Sequence, residues 1–284
     1  YNKSLVFAFQ ANIYCIIITK LLRKKIIVRS NSAPEGWNKN KFKNFVFSYF
    51  FKQSDDIIVN SKDFKKKVDK KFGVKSICIY NPLNKEEIIN ISKNRIKEKI
   101  FRNKNSLKII NVARFTDQKN HILLLNALND IKNKLNFELL LIGYGPNKNS
   151  LNDFVKKNNL SKKVTILNFE DNPYKFMKLS DVFILTSNFE GLPNVILEAL
   201  CLKKIVICTD CPTGPKEILN NGRYGSLIKI NDIKNLSKTI IKVSQFRNKY
   251  QKIANDGFKS LDRFSFSKNM NKYLKIINKN FQKV

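Results

Sequence analysis

DVFILTSNFEGLPNVILEALCLKKIVICTD, residues 181–210, is apolar at both ends, broken by Gly and Pro, and spaced like a helix in between. The outer runs, DVFILTS and KIVICTD, do not alternate apolar with polar residues as a strand with one wet face would. Strands of this kind are buried on both faces, and a helix between two of them makes the crossover of a parallel sheet. The pattern recurs in LKIINVA (107–113), FELLLIG (137–143), VTILNF (164–169) and GSLIKI (225–230), each set off by a polar-punctuated helical segment. Six such runs predict a complete Rossmann-like domain over 107–262. A ligand would sit outside the carboxyl ends of its strands.

Residues 1–83 repeat the theme in part. SLVFAF, KIIVRS, DDIIVNS and SICIYNP read as strands and QANIYCIIITKLLRK as a helix, which amounts to the second half of another Rossmann-like domain. The charged segment 84–106 reads as a linker. FSFSKNMNKYLKIINKNF, within a C-terminal segment 263–284, reads as an amphipathic helix. Tyr1 stands inside an apolar strand pattern, neither a signal peptide nor an ordinary start, so an N-terminally incomplete chain is expected. The fold class is therefore α/β, with two Rossmann-like domains on parallel sheets, the first incomplete.

The chain has 284 residues, 43% of them hydrophobic, enough for cores of this kind. No uncharged apolar run reaches the roughly 18 residues of a membrane span; Leu5 to Thr19 comes nearest, but contains Gln10 and Asn12. Lys and Arg number 54 against 22 acids, a net charge of +32. Three origins fit: an AT-rich codon bias that also enriches Asn and Ile, attraction to anionic lipid headgroups, or nucleic-acid binding. The last lacks a recognised motif and a dense basic tail. GWNKNKFKNFVFSYFFK, 36–52, mixes Lys with Trp37 and Phe, and fits either a membrane-docking helix or a domain helix with its aromatic face in the core. Cys15, Cys78, Cys201, Cys208 and Cys211 include one C-x-x-C without a second pair, beside a single histidine, His121. That pattern argues against zinc and for reduced thiols in a cytoplasm.

The chemistry concentrates at strand ends. Glu190 and Glu198 lie eight positions apart around a helix start. Gly191 lets backbone approach a ligand closely, and Pro193 suits the first helical position. The N–H groups from Asn194 onward then form an anion site, and Glu198, about a turn further in, reaches a hydroxyl of the same ligand. An anion cradle between two hydroxyl-binding acids suits a nucleotide-sugar. In ARFTDQKNH (113–121), Arg114 and Lys119 can converge on a diphosphate. Gly143, Tyr144, Gly145 and Pro146 close the second strand, as a turn would without any ligand.

The Glu–seven residues–Glu spacing with internal Gly-Leu-Pro-Asn, the phrase ARFTDQKNH and TGPKEI (213–218) together resemble the donor-site motifs of family 4 glycosyltransferases, retaining enzymes of the GT-B fold. The resemblance is strongest from about 107 to 230. It implies metal-independent transfer of a sugar, with retention, from a nucleotide-diphosphate donor to a glycan or lipid-linked acceptor. A UDP-sugar is the expected donor, with no separate cofactor. Glu190, Arg114 and Lys119 are implied as catalytic. Gly143, Tyr144, Gly145, Gly191, Leu192, Pro193, Asn194 and Glu198 are implied as donor-binding, with Glu190 on the sugar and Glu198 on the ribose. Gly214, Pro215 and Glu217 are implied as a structural turn and helix start beneath the site. NFEDNPYKFMK (168–178) is similar to the family's base-proximal loop, with Asn168 replacing its usual glycine.

His121 stands where relatives tolerate His without a catalytic role. The family's histidine facing the sugar has no counterpart in VRSNSAPEG (28–36), which offers Arg29, Ser30 and Asn31. The leaving diphosphate can itself assist deprotonation of the acceptor. The terminal helix is implied to pack back on the first domain; a cytoplasmic enzyme is expected, with peripheral contact at the inner face of an anionic membrane as one of the readings its charge leaves open. Two other readings stay open: an inactive or weakly active remnant retaining donor binding, and a basic nucleic-acid-binding protein.

Overall fold

The computed structural model describes residues 4–9, 12–31, 41–96 and 99–282. Trp37 and the SAPEG part of the first domain's loop lie outside the described residues. Strands β1 (Leu5–Ala8), β2 (Lys25–Ser30), β3 (Asp56–Val59) and β4 (Ile77–Cys78) form one parallel sheet in the order β1-β2-β3-β4. They are joined through α1 (Asn12–Leu21), α2 (Lys41–Gln53) and α3 (Lys62–Phe72). Alternate residues of each strand face opposite layers. Ile26, Val28, Ile57 and Val59 pack with Ile16, Phe51, Phe64, Val68 and Phe72 of the helices. Ile27, Ile58 and Ile79 face the other way.

Next comes α4 (Lys85–Ile91), inside the segment expected to be a linker. Asn84 caps it by accepting from Glu87 N at 3.2 Å, and Ile88 enters the second domain's core with Leu197 and Phe176. The charges of KEEIINI hide a short amphipathic helix, so this stretch is docked rather than extended.

The second sheet contains β5 (Leu107–Val112), β6 (Phe137–Ile142), β7 (Val164–Leu167), β8 (Val182–Leu185), β9 (Ile205–Thr209) and β10 (Ser226–Ile228). All are parallel, in the order β10-β9-β8-β5-β6-β7. Every one of the six apolar runs becomes a strand. Ile109, Leu139 and Leu141 enter one core layer, and Ile110, Leu140 and Ile142 the other. Burial on both faces explains why these runs show no alternation. The helices are α5 (His121–Ile131), α6 (Lys148–Lys157), α7 (Tyr174–Leu179), α8 (Asn194–Cys201), α9 (Pro215–Ile218), α10 (Ile233–Gln245) and α11 (Arg247–Lys259). Strand order reverses between β8 and β5, which opens a crevice between their carboxyl ends.

A 3-10 turn (Ser260–Phe264) leads into α12 (Phe266–Phe281). Leu83 N donates to Phe264 O and Phe266 N to Leu83 O, so the chain's end is stitched to the exit of the first sheet. Tyr273 and Ile276 of α12 then cover Ile27, Ile58 and Ile79. Asp56 accepts from Asn280 Nδ2 at 2.6 Å and pairs with Lys279 at 3.3 Å.

Candidate functional site

The loops after β5 and β8 meet at the switch point, and backbone and side-chain hydrogen bonds hold them in register. Asn188 N donates to Gln118 O at 2.8 Å, Gln118 Nε2 to Phe189 O at 2.9 Å, and Thr186 Oγ1 to Asn120 O at 2.9 Å. Asn120 caps α5 from a left-handed conformation, φ 46°, which asparagine tolerates better than most residues. His121 follows, buried and edge-on to Phe115. Burial, helped by Lys119, lowers its pKa to about 4, so it is a neutral packing residue.

This register joins Lys119 to Glu190. The ammonium lies 2.5 Å from Glu190 Oε1, with side-chain exposures of 15% and 7%. Ser187 Oγ donates to the same oxygen at 2.6 Å. Oε2 accepts no hydrogen bond from the described residues, leaving a carboxylate oxygen for a ligand. Glu190 N donates to Pro212 O at 3.3 Å, and Thr213 Oγ1 donates to Glu190 O. The backbone of Glu190 is thus held from both sides. Arg114, by contrast, is exposed and makes no ion pair among the described residues. Of the two residues expected to converge on a diphosphate, Lys119 is thus paired with Glu190 and Arg114 is exposed.

Helix α8 starts one residue later than expected. Pro193 is its N-cap, φ −71° and ψ 104°, rather than its first residue. Proline has no side-chain acceptor, so no side chain caps the first turn. Exposed Asn194 accepts at Oδ1 from Asn81 Nδ2 at 2.6 Å, and Asn81 Oδ1 accepts from Arg29 Nη2, also at 2.6 Å. Arg29 is flanked by the rings of Phe9 and Tyr273, and this relay carries the first domain to the helix start. Gly191, Leu192 and Pro193 are buried. A Cβ on Gly191 would collide with Asn31 O, so the close approach expected of a ligand is made here by the other domain's backbone. Gly214 has φ +80°, and a Cβ there would strike Gly191 O; only glycine serves in that crossing.

Glu198 is half-buried on α8, one turn in from Asn194. Burial raises its pKa to about 7, against the opposing hydrogen bond from Tyr174. Glu198, Tyr174, Asn194, Leu197, Asn84 and Glu87 line an open cleft of about 270 Å³ between α4, α7 and α8.

At the ends of β6 and β7, Gly143 and Gly145 lie against the carbonyls of Ala113 and Phe115, and Phe115 N donates to Tyr144 O at 2.7 Å. Both glycines therefore support the loop bearing Arg114. Tyr144 is exposed and edge-on to exposed Phe169, with centroids 5.9 Å apart at 85°. Asn168 accepts from Lys148 Nζ at 2.5 Å.

Sequence reasoning missed Ser187, Tyr174, Asn81 and the cross-domain reach of Glu217. Ser187 left one faint signal, a hydroxyl at a strand end three residues before Glu190. The others meet partners far away in sequence.

Comparison with known proteins gives the family and the fold. The family model for glycosyl transferases group 1 matches residues 92–260. An uncharacterized glycosyltransferase of Methanocaldococcus jannaschii is 34% identical over 72% of this chain and 53% of its own length. A Campylobacter jejuni enzyme is 28% identical over 89% of this chain and 70% of its own. It is the N-acetylgalactosamine-N,N'-diacetylbacillosaminyl-diphospho-undecaprenol 4-alpha-N-acetylgalactosaminyltransferase. The chain thus spans about half the length of the first relative. Among solved structures, Anabaena HepE in complex with UDP superposes with a TM-score of 0.83 at 18% identity, covering 96% of this chain and 79% of that one. Sucrose-phosphate synthase of Thermosynechococcus elongatus gives 0.80 at 15%, covering 99% and 74%. These neighbours fix the fold as GT-B.

Proposed function

Because the chain belongs to the glycosyl transferases group 1, we propose that it moves a sugar from a nucleotide-diphosphate donor, a UDP-sugar, to a glycan or lipid-linked acceptor, with retention of configuration. The observation that carries this reading is the Lys119–Glu190 pair set beside the side-chain-uncapped start of α8, with Glu198 on the same helix. The diphosphate would lie on the N–H groups that open α8, where the helix dipole favours negative charge, with Arg114 free to reach it. Glu190 Oε2 would take sugar hydroxyls. Glu198 would take the ribose, and Tyr144 and Phe169 would flank the base. The relative's diphospho-undecaprenol substrate supports a lipid-linked acceptor.

In the reaction the bond from the anomeric carbon to the β-phosphate oxygen breaks, and the acceptor hydroxyl oxygen bonds to the same face. The acceptor proton passes to the departing diphosphate. Charge building on that leaving group is met by Arg114, Lys119 and the α8 amides, so no divalent metal is required on this reading. Calorimetry with UDP and GDP, with and without EDTA, tests it. We expect UDP binding unchanged by chelation; no binding, or loss of binding with EDTA, contradicts it.

A peripheral contact with an anionic membrane at its cytoplasmic face belongs to the same proposal. It is supported by the net charge of +32 and by exposed Tyr14, Ile18 and Leu21 on α1 and Phe42, Phe45 and Tyr49 on α2. No helix among the described residues is long and apolar enough to cross a membrane. Stronger sedimentation with phosphatidylglycerol vesicles than with phosphatidylcholine vesicles is expected; equal sedimentation contradicts this contact. The family match favours neither the remnant nor the nucleic-acid reading.

A further inference from the structure

Glu217 was expected to serve only a turn beneath the site, yet its carboxylate crosses to the other domain. It accepts from Lys62 N at 2.9 Å and Asp63 N at 3.2 Å, the first two amides of α3, and from Tyr80 Oη at 2.6 Å. Ser61 Oγ takes the third amide, Phe64 N, at 3.1 Å, and Ser61 O takes Lys65 N at 2.9 Å. The first three amides of α3 are thus all satisfied by side chains, two of them by a residue 155 and 154 positions away. A carboxylate at a helix N-terminus is favoured by the dipole, and its bonds are charge-assisted. Burial and Glu217 together push the Tyr80 phenol well above its ordinary range, which keeps it protonated as a donor.

The other end of this clasp reaches Glu190. Glu217 sits in α9, whose N-cap is Gly214. The two residues before that cap hold Glu190's backbone: Pro212 O accepts its N–H, and Thr213 Oγ1 donates to its carbonyl. Gly214 itself lies under the Gly191 carbonyl. A continuous run of bonds therefore leads from α3 of the first domain through Glu217 and α9 to the residue that pairs with Lys119.

We propose that Glu217 is a positioning residue, whose clasp on the start of α3 couples the approach of the two domains to the placement of Glu190. This rests on the donor-site reading above, since placing Glu190 matters only if it meets the sugar. When the domains part, α3 withdraws its amides, α9 loses its anchor, and Pro212 and Thr213 no longer fix the Glu190 backbone. When they close, the same bonds seat it.

Amide hydrogen exchange on the whole protein tests this, with UDP as the probe, in wild type, Glu217→Ala, Glu217→Gln and Tyr80→Phe. In Glu217→Ala we expect the Lys62 and Asp63 amides to exchange at least tenfold faster, and the Glu190 amide severalfold faster. Amides of β6 should be unchanged. Glu217→Gln, which keeps an acceptor oxygen, should fall between Ala and wild type. In wild type UDP should slow exchange at Lys62 and Asp63; in Glu217→Ala UDP should still bind without that remote effect. Faster exchange at α3 with Glu190 unmoved would overturn the proposal, leaving Glu217 a helix cap alone. Unchanged exchange at α3 would overturn it as well. If Glu217→Ala loosens the whole fold, Tyr80→Phe decides: it removes one donor from the first-domain side and must still quicken Glu190 exchange. Absence of UDP binding in wild type would instead fail the donor reading, while the exchange rates without UDP still read the clasp.

Discussion

Two glutamates of one loop and helix, Glu190 and Glu198, lie in opposite electrostatic settings. Glu190 is buried against Lys119 and Ser187 at the switch point, a carboxylate with its cation supplied by the fold. Glu198 is half-buried beside Tyr174, and burial holds its carboxyl at about 7, with no cation paired to it among the described residues. Eight positions of sequence therefore separate a carboxylate held in place by an ion pair and a hydroxyl from one whose charge responds to its surroundings. The first suits a group that must hold a reacting sugar in one geometry. The second suits a group that completes its hydrogen bonding only when a ribose arrives.

Replacing the two acids gives the largest effects and the sharpest contrast. Glu190→Gln should lower transfer by about 10²–10³-fold, the scale of losing one well-placed polar group in a transition state, while UDP affinity stays within about threefold. Turnover that survives the change would break the comparison at once. Lys119→Met should strand Glu190 as an unpaired buried charge, at a cost of about 3 kcal/mol in unfolding free energy. Arg114→Ala, exposed and unengaged, should change stability by less than about 0.5 kcal/mol, yet weaken UDP by about 1.5–3 kcal/mol and leave uridine untouched. Denaturant midpoints and calorimetry read both. Equal losses for UDP and uridine would mean that Arg114 does not act on phosphate.

Glu198 should reveal itself through pH. Its folded pKa of about 7 lies above the ordinary 4.5, so between these values the folded protein holds a proton that the unfolded chain has released. Stability should therefore fall as pH rises from about 4.5 through 7, and Glu198→Gln should flatten that slope. A ribose prefers the ionised acceptor, so from pH 6 to 8 UDP affinity should rise more in wild type than in Glu198→Gln. The difference between the proteins removes any titration of UDP itself, and parallel pH profiles would take Glu198 out of the site. The smallest effect should be that of Phe169→Ala, about 1 kcal/mol of UDP affinity from lost contact with the base.

The strands were legible because a parallel sheet buried on both faces writes continuous apolar runs; all six of the second domain stand where LKIINVA through GSLIKI place them. The acids and the basic loop were legible as residues, but not in their pairing. Lys119 meets Glu190 across 71 positions, and only the adjacency of β5 and β8 brings their loops together. Helix α4 was hidden because Lys85, Glu86 and Glu87 outweigh the apolar residues after them. Gly191 was legible as a close approach, but its neighbour, the Asn31 carbonyl, belongs to the other sheet. Local pattern reports burial and turns; which loop ends face each other follows from strand order.

The central claim is that one nucleotide diphosphate spans the ground between these two glutamates, and a crystal structure of the protein with UDP tests it most directly. The account predicts ribose hydroxyls within hydrogen-bonding distance of the Glu198 carboxylate and the diphosphate on the Asn194 and Val195 amides, with Arg114 turned toward it. UDP bound with its diphosphate away from the start of α8, or its ribose away from Glu198, would contradict the account.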